Sequence, residues 1–258
     1  MGTGAITTNV DVAQLVLYVF WGCFAYLIYY LQRESKREGF PLESKRPGGE
    51  IYTTPGLVGM PSPKVYKTAD GHEYYAPNNK QSPQTLKAVP SNRFNGAPLV
   101  PTGNPMLDGV GPGAYADRAD RCEMTTHGET LLVPLRAASA FSVAHQDTNP
   151  IGLAVIGADN EVAGTVVDVW LDRGEMVFRH LEVSVGSGST ARNVILPINF
   201  SRIGKQSVAV RSILSTQFAQ VPGLKNPLQM TMLEEEKIMA YYGGGTLYAT
   251  PDRQECLF

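Results

Sequence analysis

One stretch near the start of the chain is apolar on every side of a helix. Val12 to Leu31 reads VAQLVLYVFWGCFAYLIYYL, 20 residues with a single amide, Gln14, and no charge. At about 1.5 Å per residue such a helix is about 30 Å long, the thickness of a hydrocarbon core. Asp11 closes one end and Gln32-Arg33 the other. A signal peptide would carry Lys or Arg ahead of a shorter apolar run. A helix in a soluble core would keep a polar face. The pattern therefore predicts one membrane-spanning helix over residues 12–31, after a short N-terminal segment, 1–11.

The pattern then breaks. Twelve of the 18 prolines fall between Pro41 and Pro112, among many glycines, which forbids long helices. Only short strand-like pieces remain, such as Lys64 to Lys67 and Glu73 to Ala76. Apolar residues are still frequent here: Leu57, Val58, Val65, Tyr66, Tyr74, Tyr75, Leu86, Val89, Leu99 and Val100. That content suits an extended segment laid over another protein's surface better than a solvated tether. Residues 32–130 are expected to form a basic collar followed by this Pro/Gly-rich stretch.

From about Leu131 the period changes again. LLVPL, GLAVIGA, EVAGTVVDVWLD, EMVFRHLEVSV, RNVILPI and SVAVRSI are short β runs separated by turn signals. Six such strands read as a small antiparallel barrel or sandwich. Thr231 with Glu234 three residues on is a capping box. It opens a helix expected to stop at Gly243-Gly244-Gly245. The expected architecture is a single N-terminal transmembrane helix plus a mainly β domain, 131–258, with a C-terminal helix.

Composition narrows the function. The 258 residues carry a net charge of −2, and the mean hydropathy is −0.12, too polar for a protein lying mostly in lipid. A nucleic-acid binder needs a basic footprint that this balance lacks. Cys23, Cys122 and Cys256 are far apart, and the four histidines lack ligand spacing, so no metal site is expected. No phosphate loop, dinucleotide fingerprint, zinc-protease motif or nucleophile elbow occurs. The chain does not read as an enzyme. Arg33, Lys36 and Arg37, with Lys45 and Arg46, follow the apolar run, whereas no Lys or Arg precedes it. That asymmetry sets topology, and Arg33, Lys36 and Arg37 are candidate contacts for anionic lipid.

One acidic constellation interrupts the β runs. Asp172-Arg173-Gly174-Glu175 reads as a two-residue Arg-Gly turn, which would set Asp172 and Glu175 opposite each other, about 5 Å apart at Cβ. Carboxylates that close resist ionising together, and Arg179 on the returning strand would partly neutralise them. Such a group can pass protons, but on spacing alone the favoured reading is the commoner one, an ordinary solvated hairpin tip.

At these residues the chain resembles the H subunit of the purple-bacterial photosynthetic reaction centre. The resemblance rests on KREGFPLES after the apolar run, APLVPTGNPMLDGVGPGAY, NPIGL, AGTVVDVWLDRGE, FRHLEV, FAQVPGLKNP and EEEKIMAYYGGGTLYATPDR, in that order. Residues from Pro41 to about Ala76 match poorly, and nothing is carried over there. The resemblance implies one transmembrane helix and a cytoplasmic PRC-barrel domain in the bacterial inner (intracytoplasmic) membrane. It implies a supporting subunit that caps the L and M subunits, shields the quinone sites and helps carry protons to the secondary quinone. Bacteriochlorophyll, bacteriopheophytin, quinones and non-haem iron would lie in L and M, none ligated by this chain. A cytochrome subunit and a light-harvesting ring are optional neighbours. The family's proton-transfer residues fall on Asp172, Glu175, Arg179 and His127, while Glu129 stands where a second histidine is common and Thr125 where an acid sometimes occurs. The alternative, a membrane-tethered PRC-barrel protein of RNA processing, is disfavoured by charge.

The positive-inside bias places the N-terminus in the periplasm and the bulk of the chain in the cytoplasm. Protease added to sealed right-side-out cells should leave everything after Arg33 intact; cleavage there would reverse the orientation.

Overall fold

The computed structural model of the chain describes residues 4, 11–38, 43–45, 51–53, 59, 61–69, 71–76, 85–94, 96–188 and 191–254. Most of the N-terminal segment, Gly39 to Leu42 of the basic signature, Arg46, Leu57, Val58 and Cys256 lie outside them. The chain divides into two compact units, Met1–Gln81 and Ser82–Phe258.

The first unit is built on α1, Val12–Ser35, a turn longer than the apolar run itself. Asp11 caps it by accepting a hydrogen bond from the Gln14 backbone N–H at 2.7 Å. The only amide in the run, Gln14, donates to the Tyr18 hydroxyl one turn on, at 3.2 Å, so its polarity is answered within the helix. No residue of α1 is buried by the rest of the chain, so the whole apolar surface is left for a surrounding medium or partner helices. A 3-10 turn, Lys36–Glu38, ends the helix. Here Arg37 pairs with Glu34 and donates to the Ser62 carbonyl through Nε and Nη2 at 3.2 Å. Lys64 Nζ meets the other Glu34 oxygen at 2.6 Å. Strands β1 (Glu43–Lys45) and β2 (Ile51–Thr53) pair, as do β3 (Lys64–Lys67) and β4 (Glu73–Ala76), the two pieces expected from the sequence.

The second unit opens with a ribbon of β5 (Ala88–Pro90) and β6 (Leu99–Pro101) and a single helical turn, α2 (Pro105–Asp108). Its main sheet has seven strands: β7 (Leu132–Pro134), β8 (Ala154–Ile156), β9 (Val162–Asp172), β10 (Val177–Val185), β11 (Arg192–Pro197), β12 (Ser201–Ile203) and β13 (Ser207–Val210). The order is β11-β10-β9-β8-β13-β12, with β7 on the free half of β9. All six β runs read from the sequence form strands. The sheet adds β12, and one pair, β8 with β13, is parallel. Trp170, Leu181, Leu196, Ile213, Phe218, Ile238, Tyr241 and Tyr242 are fully buried between the sheet and α3 (Met232–Tyr248). Each aliphatic or Phe side chain so buried contributes about 1.5–3 kcal/mol.

Two of the buried carboxylates face each other across neighbouring strands of this sheet. Asp168 and Glu182 are register partners on β9 and β10, an arrangement that repels unless a cation intervenes. Arg136 supplies it: Nη1 lies 2.8 Å from Asp168 Oδ2 and 2.6 Å from Glu182 Oε2. The remaining oxygens accept from Val169 N–H at 2.8 Å and Asn193 Nδ2 at 2.7 Å, and Trp170 Nε1 adds a bond to Glu182 at 3.1 Å.

α3 departs from expectation. Its capping box is present, Glu234 N–H donating to Thr231 Oγ1 at 3.2 Å and Thr231 N–H to Glu234 Oε2 at 2.9 Å. The helix nevertheless runs through Gly243-Gly244-Gly245 to Tyr248. The glycines are there for close approach. A Cβ on Gly243 would lie 2.8 Å from the Pro112 carbonyl, one on Gly244 3.2 Å from the Gly113 and Met106 Cα atoms, and one on Gly245 2.4 Å from Ile213 Cγ2. So residues 105–113, expected to drape over a partner, pack instead on this chain's own helix; Leu86, Val89, Phe94, Leu99 and Leu107 stay exposed.

Gly245→Ala tests this packing. Helix propensity alone favours alanine by about 1 kcal/mol. The clash should outweigh it and leave a net loss of about 1–3 kcal/mol, read as a lower thermal midpoint of the full chain in detergent; a raised midpoint would mean the glycine is merely tolerated.

Candidate functional site

The β9–β10 hairpin carries the acidic constellation, but not through a two-residue turn. Asp172 ends β9 and pairs with Val177, so four residues, Arg173–Met176, form the connection. Asp172 Oδ1 organises it by accepting from the N–H groups of Gly174 at 2.8 Å and Glu175 at 3.0 Å. Met176 closes it at φ 58°, a left-handed conformation that costs a non-glycine residue roughly 1 kcal/mol. Asp172 and Glu175 are therefore not cross-strand partners.

Arg179 brings them together instead. Its Nε lies 2.9 Å from Asp172 Oδ2 and its Nη2 3.1 Å from Glu175 Oε2. The register of β10 slips between Phe178 and His180, leaving Arg179 as the extra residue of a bulge, which re-aims its side chain. The three groups grade inward: the Glu175 side chain is 65% exposed, Arg179 37% and Asp172 1%.

A fourth group completes the cluster. Glu235, in the first turn of α3, has Oε1 4.0 Å from Arg179 Nη1 and 3.7 Å from His180 Nε2. Burial raises the Glu235 carboxyl above its usual range, against the opposing charges of Arg179 and Arg118. Burial, and then the charge of Arg179, pushes the His180 imidazole down to about 4. The local sequence pattern assigns neither Glu235 nor His180 a place in this cluster. Nothing local links positions 55 apart; only the packing of α3 on β10 does.

His127 and Glu129 sit in a neighbouring turn. Residues 123–131 form a narrow hairpin, with Met124 bridged to Thr130 and Leu131 N–H donating to the Glu123 carbonyl at 2.8 Å. Arg173 N–H donates to the Leu131 carbonyl at 3.0 Å, holding this hairpin against the β9–β10 loop. Arg173 Nη1 also meets Glu129 Oε2 at 3.2 Å. His127, Glu129, Arg173, Gly174 and Met176 share the wall of an open hollow of about 790 Å³. All five residues singled out for proton transfer thus lie at one end of the sheet. Of the candidate lipid contacts, Arg33 is half-buried, Lys36 is buried, and Arg37 is buried and engaged with Glu34 and Ser62.

The chain matches the family model described as the photosynthetic reaction centre, H-chain N-terminal region, over residues 4–137, and the PRC-barrel domain over residues 143–217. This chain belongs to the reaction-centre H-chain family. The PRC-barrel match spans β8 to β13 and so contains Asp172, Glu175 and Arg179, while His127 and Glu129 fall within the H-chain region. Glu235 lies beyond both. Membership makes the chain a subunit of a reaction-centre complex, and α1 agrees with a single-pass membrane protein.

The depressed His180 pKa has a consequence for stability. Between about pH 6.5 and 4 the unfolded H chain binds a proton at this residue that the folded one refuses. Its contribution is complete above pH 6.5 and is lost as pH falls toward 4. Glu235, shifted upward, acts in the opposite sense. Among the described residues His180 Nδ1 has no hydrogen-bond partner, so phenylalanine removes no bond there. His180→Phe should flatten the acid limb of the stability curve by about 1–3 kcal/mol over that window, measured by chemical denaturation at pH 4.5 and 7.5. An unchanged slope would mean that the imidazole titrates freely.

Proposed function

We propose that this H chain caps the cytoplasmic face of the L and M subunits, keeps water from the quinone sites, and passes protons from the cytoplasm toward the secondary quinone. The N-terminus is then periplasmic, and the described β unit cytoplasmic, in the bacterial inner membrane. The pigments, quinones and iron reside in L and M, and this chain performs no redox chemistry itself. Anionic lipid contact at the end of α1 fits Arg33 best, since Arg37 already answers Glu34.

The observation that carries the reading is Arg179, which joins an exposed, a buried and a part-buried carboxylate. Glu175 is the accessible end, where a proton arrives from solvent. Asp172 and Glu235 lie inward. One guanidinium cannot fully satisfy three carboxylates, so a proton added to one releases part of its hold and strengthens it on the others. The three are coupled through the one cation they share. Glu235, whose proton affinity burial has raised, is suited to hold a proton more firmly than an exposed carboxylate does. His127 and Glu129 in the adjoining hollow serve as further points of entry.

In the intact complex, Glu175→Gln should slow the proton-coupled second electron transfer to the quinone by at least about tenfold. Glu235→Gln should act in the same direction, and the double variant should cost less than the product of the two. Primary charge separation should be unchanged in both. The measurement is flash-induced quinone reduction with proton uptake from about pH 6 to 9, the range a raised carboxyl can reach. Wild-type second-electron kinetics throughout that range would reduce the cluster to a structural ion pair.

A further inference from the structure

We propose that the hollow beside the β12–β13 hairpin is a binding site for a phosphate group, either free or as a lipid headgroup. It lies in a part of the sheet separate from the acidic cluster. Its volume is about 560 Å³, and Asn199, Arg202, Ala209, Arg211, Ser212 and Arg253 line it. Among the described residues, no Asp or Glu contributes to the wall.

The register explains how two cations come to share it. β12 and β13 pair with Ser201 opposite Val210 and Arg202 opposite Ala209. Arg211 is two positions beyond Ala209, so Arg202, Ala209 and Arg211 follow the same face. Diagonal neighbours of this kind sit about 7–8 Å apart. Ala209, the smallest of the three, leaves the space between the arginines unfilled. Both arginines are exposed, and among the described residues neither guanidinium has an ion-pair or hydrogen-bond partner. Every other arginine placed near a carboxylate in this unit, Arg118, Arg136, Arg173 and Arg179, is paired with one.

Two further observations set this hollow apart from a merely basic surface. Arg253 is locked: Nη1 donates to the Ser212 carbonyl at 2.7 Å and the Gly245 carbonyl at 2.6 Å, and Nη2 to the Arg211 carbonyl at 2.9 Å. It brings a third positive charge to the wall and fixes the backbone that carries Arg211. Ser212, 5% exposed, also lines the hollow, and among the described residues its enclosed hydroxyl has no hydrogen-bond partner, an expensive state for a polar group.

The donors favour phosphate over a carboxylate. They come from three chain segments: the turn before β12, β12 itself, and the stretch after β13. A carboxylate offers two oxygens in one plane, whereas a phosphate offers oxygens in several directions and takes the guanidinium fork in pairs.

The test uses the full-length chain in a neutral detergent at constant ionic strength set with chloride. It is titrated separately with inorganic phosphate, with water-soluble dihexanoyl phosphatidylglycerol, and with dihexanoyl phosphatidylcholine as the headgroup carrying its own cation. Binding is read by calorimetry and phosphorus line broadening. Saturable binding of phosphate, of the glycerol lipid or of both is expected, with the choline lipid weakest. Binding of phosphate alone assigns a free-anion site, and of the glycerol lipid alone a headgroup site. Arg202→Gln and Arg211→Gln should each weaken it about tenfold, and the double variant should abolish it. Lys205→Gln, at the exposed tip of the same hairpin and outside the hollow, should change affinity less than twofold by the weak effect of a screened charge, roughly. No saturation by either ligand, or equal binding by wild type and the double arginine variant, would overturn the proposal.

Discussion

Carboxylates placed inside a β-sheet must each be met by a fixed cation, and this requirement organises the second unit. Asp168, Asp172 and Glu182 are all buried on β9 and β10. An unpaired charge at such depth costs several kcal/mol. Two arginines meet them, and the manner differs. Around Arg136 each oxygen of Asp168 and Glu182 has a donor within 3.3 Å, from backbone, indole, amide or guanidinium. Nothing there is free to accept a proton without losing a bond. Around Arg179 the contacts lengthen from 2.9 to 4.0 Å, and one partner is largely exposed. The first network is built to stay fixed. The second has slack, which a group that must gain and lose protons requires.

The same economy of contact governs α3. Three consecutive glycines in a helix interior cost about 1 kcal/mol each relative to alanine. They persist because the backbone of residues 105–113 on one side, and the Ser212 carbonyl with the Ile213 side chain on the other, approach too closely for any side chain. The helix is thereby held at its far end while its first turn delivers Glu235 to Arg179 and His180. Glu234 secures that first turn twice, accepting from Thr231 N–H at 2.9 Å and from Lys225 N–H at 2.8 Å. A group 55 residues away in sequence reaches the hairpin cluster only because both ends of α3 are fixed.

Much of this was legible in the sequence, and the failures share a cause. The apolar run, the six β runs and the capping box depend on local pattern, and each appears where expected. The hairpin register did not follow, because Asp172 draws two backbone N–H groups into a wider loop and Met176 adopts a conformation that its residue type disfavours. Pattern rules assign neither. The end of α3 did not follow because a glycine run reads as a stop until something packs against it. Asp172, Glu175 and Arg179 stood out by spacing and then by the resemblance, yet their geometry comes from the bulge at Arg179, which the alternation of β10 does not reveal.

The bulge also bears on how such a site is maintained. In a regular strand Arg179 and His180 would face opposite sides of the sheet, and only one could meet Glu235. The added residue turns the chain so that the guanidinium and the imidazole both lie within 4.0 Å of Glu235 Oε1. They affect it differently. Arg179 lowers its proton affinity as a permanent charge, while the neutral imidazole adds no charge of its own. Burial then outweighs the charges of Arg179 and Arg118, and Glu235 keeps a raised proton affinity. Shifting the register of β10 by one residue would remove this balance even with every side chain retained, so the bulge is as much a part of the site as the carboxylates it serves.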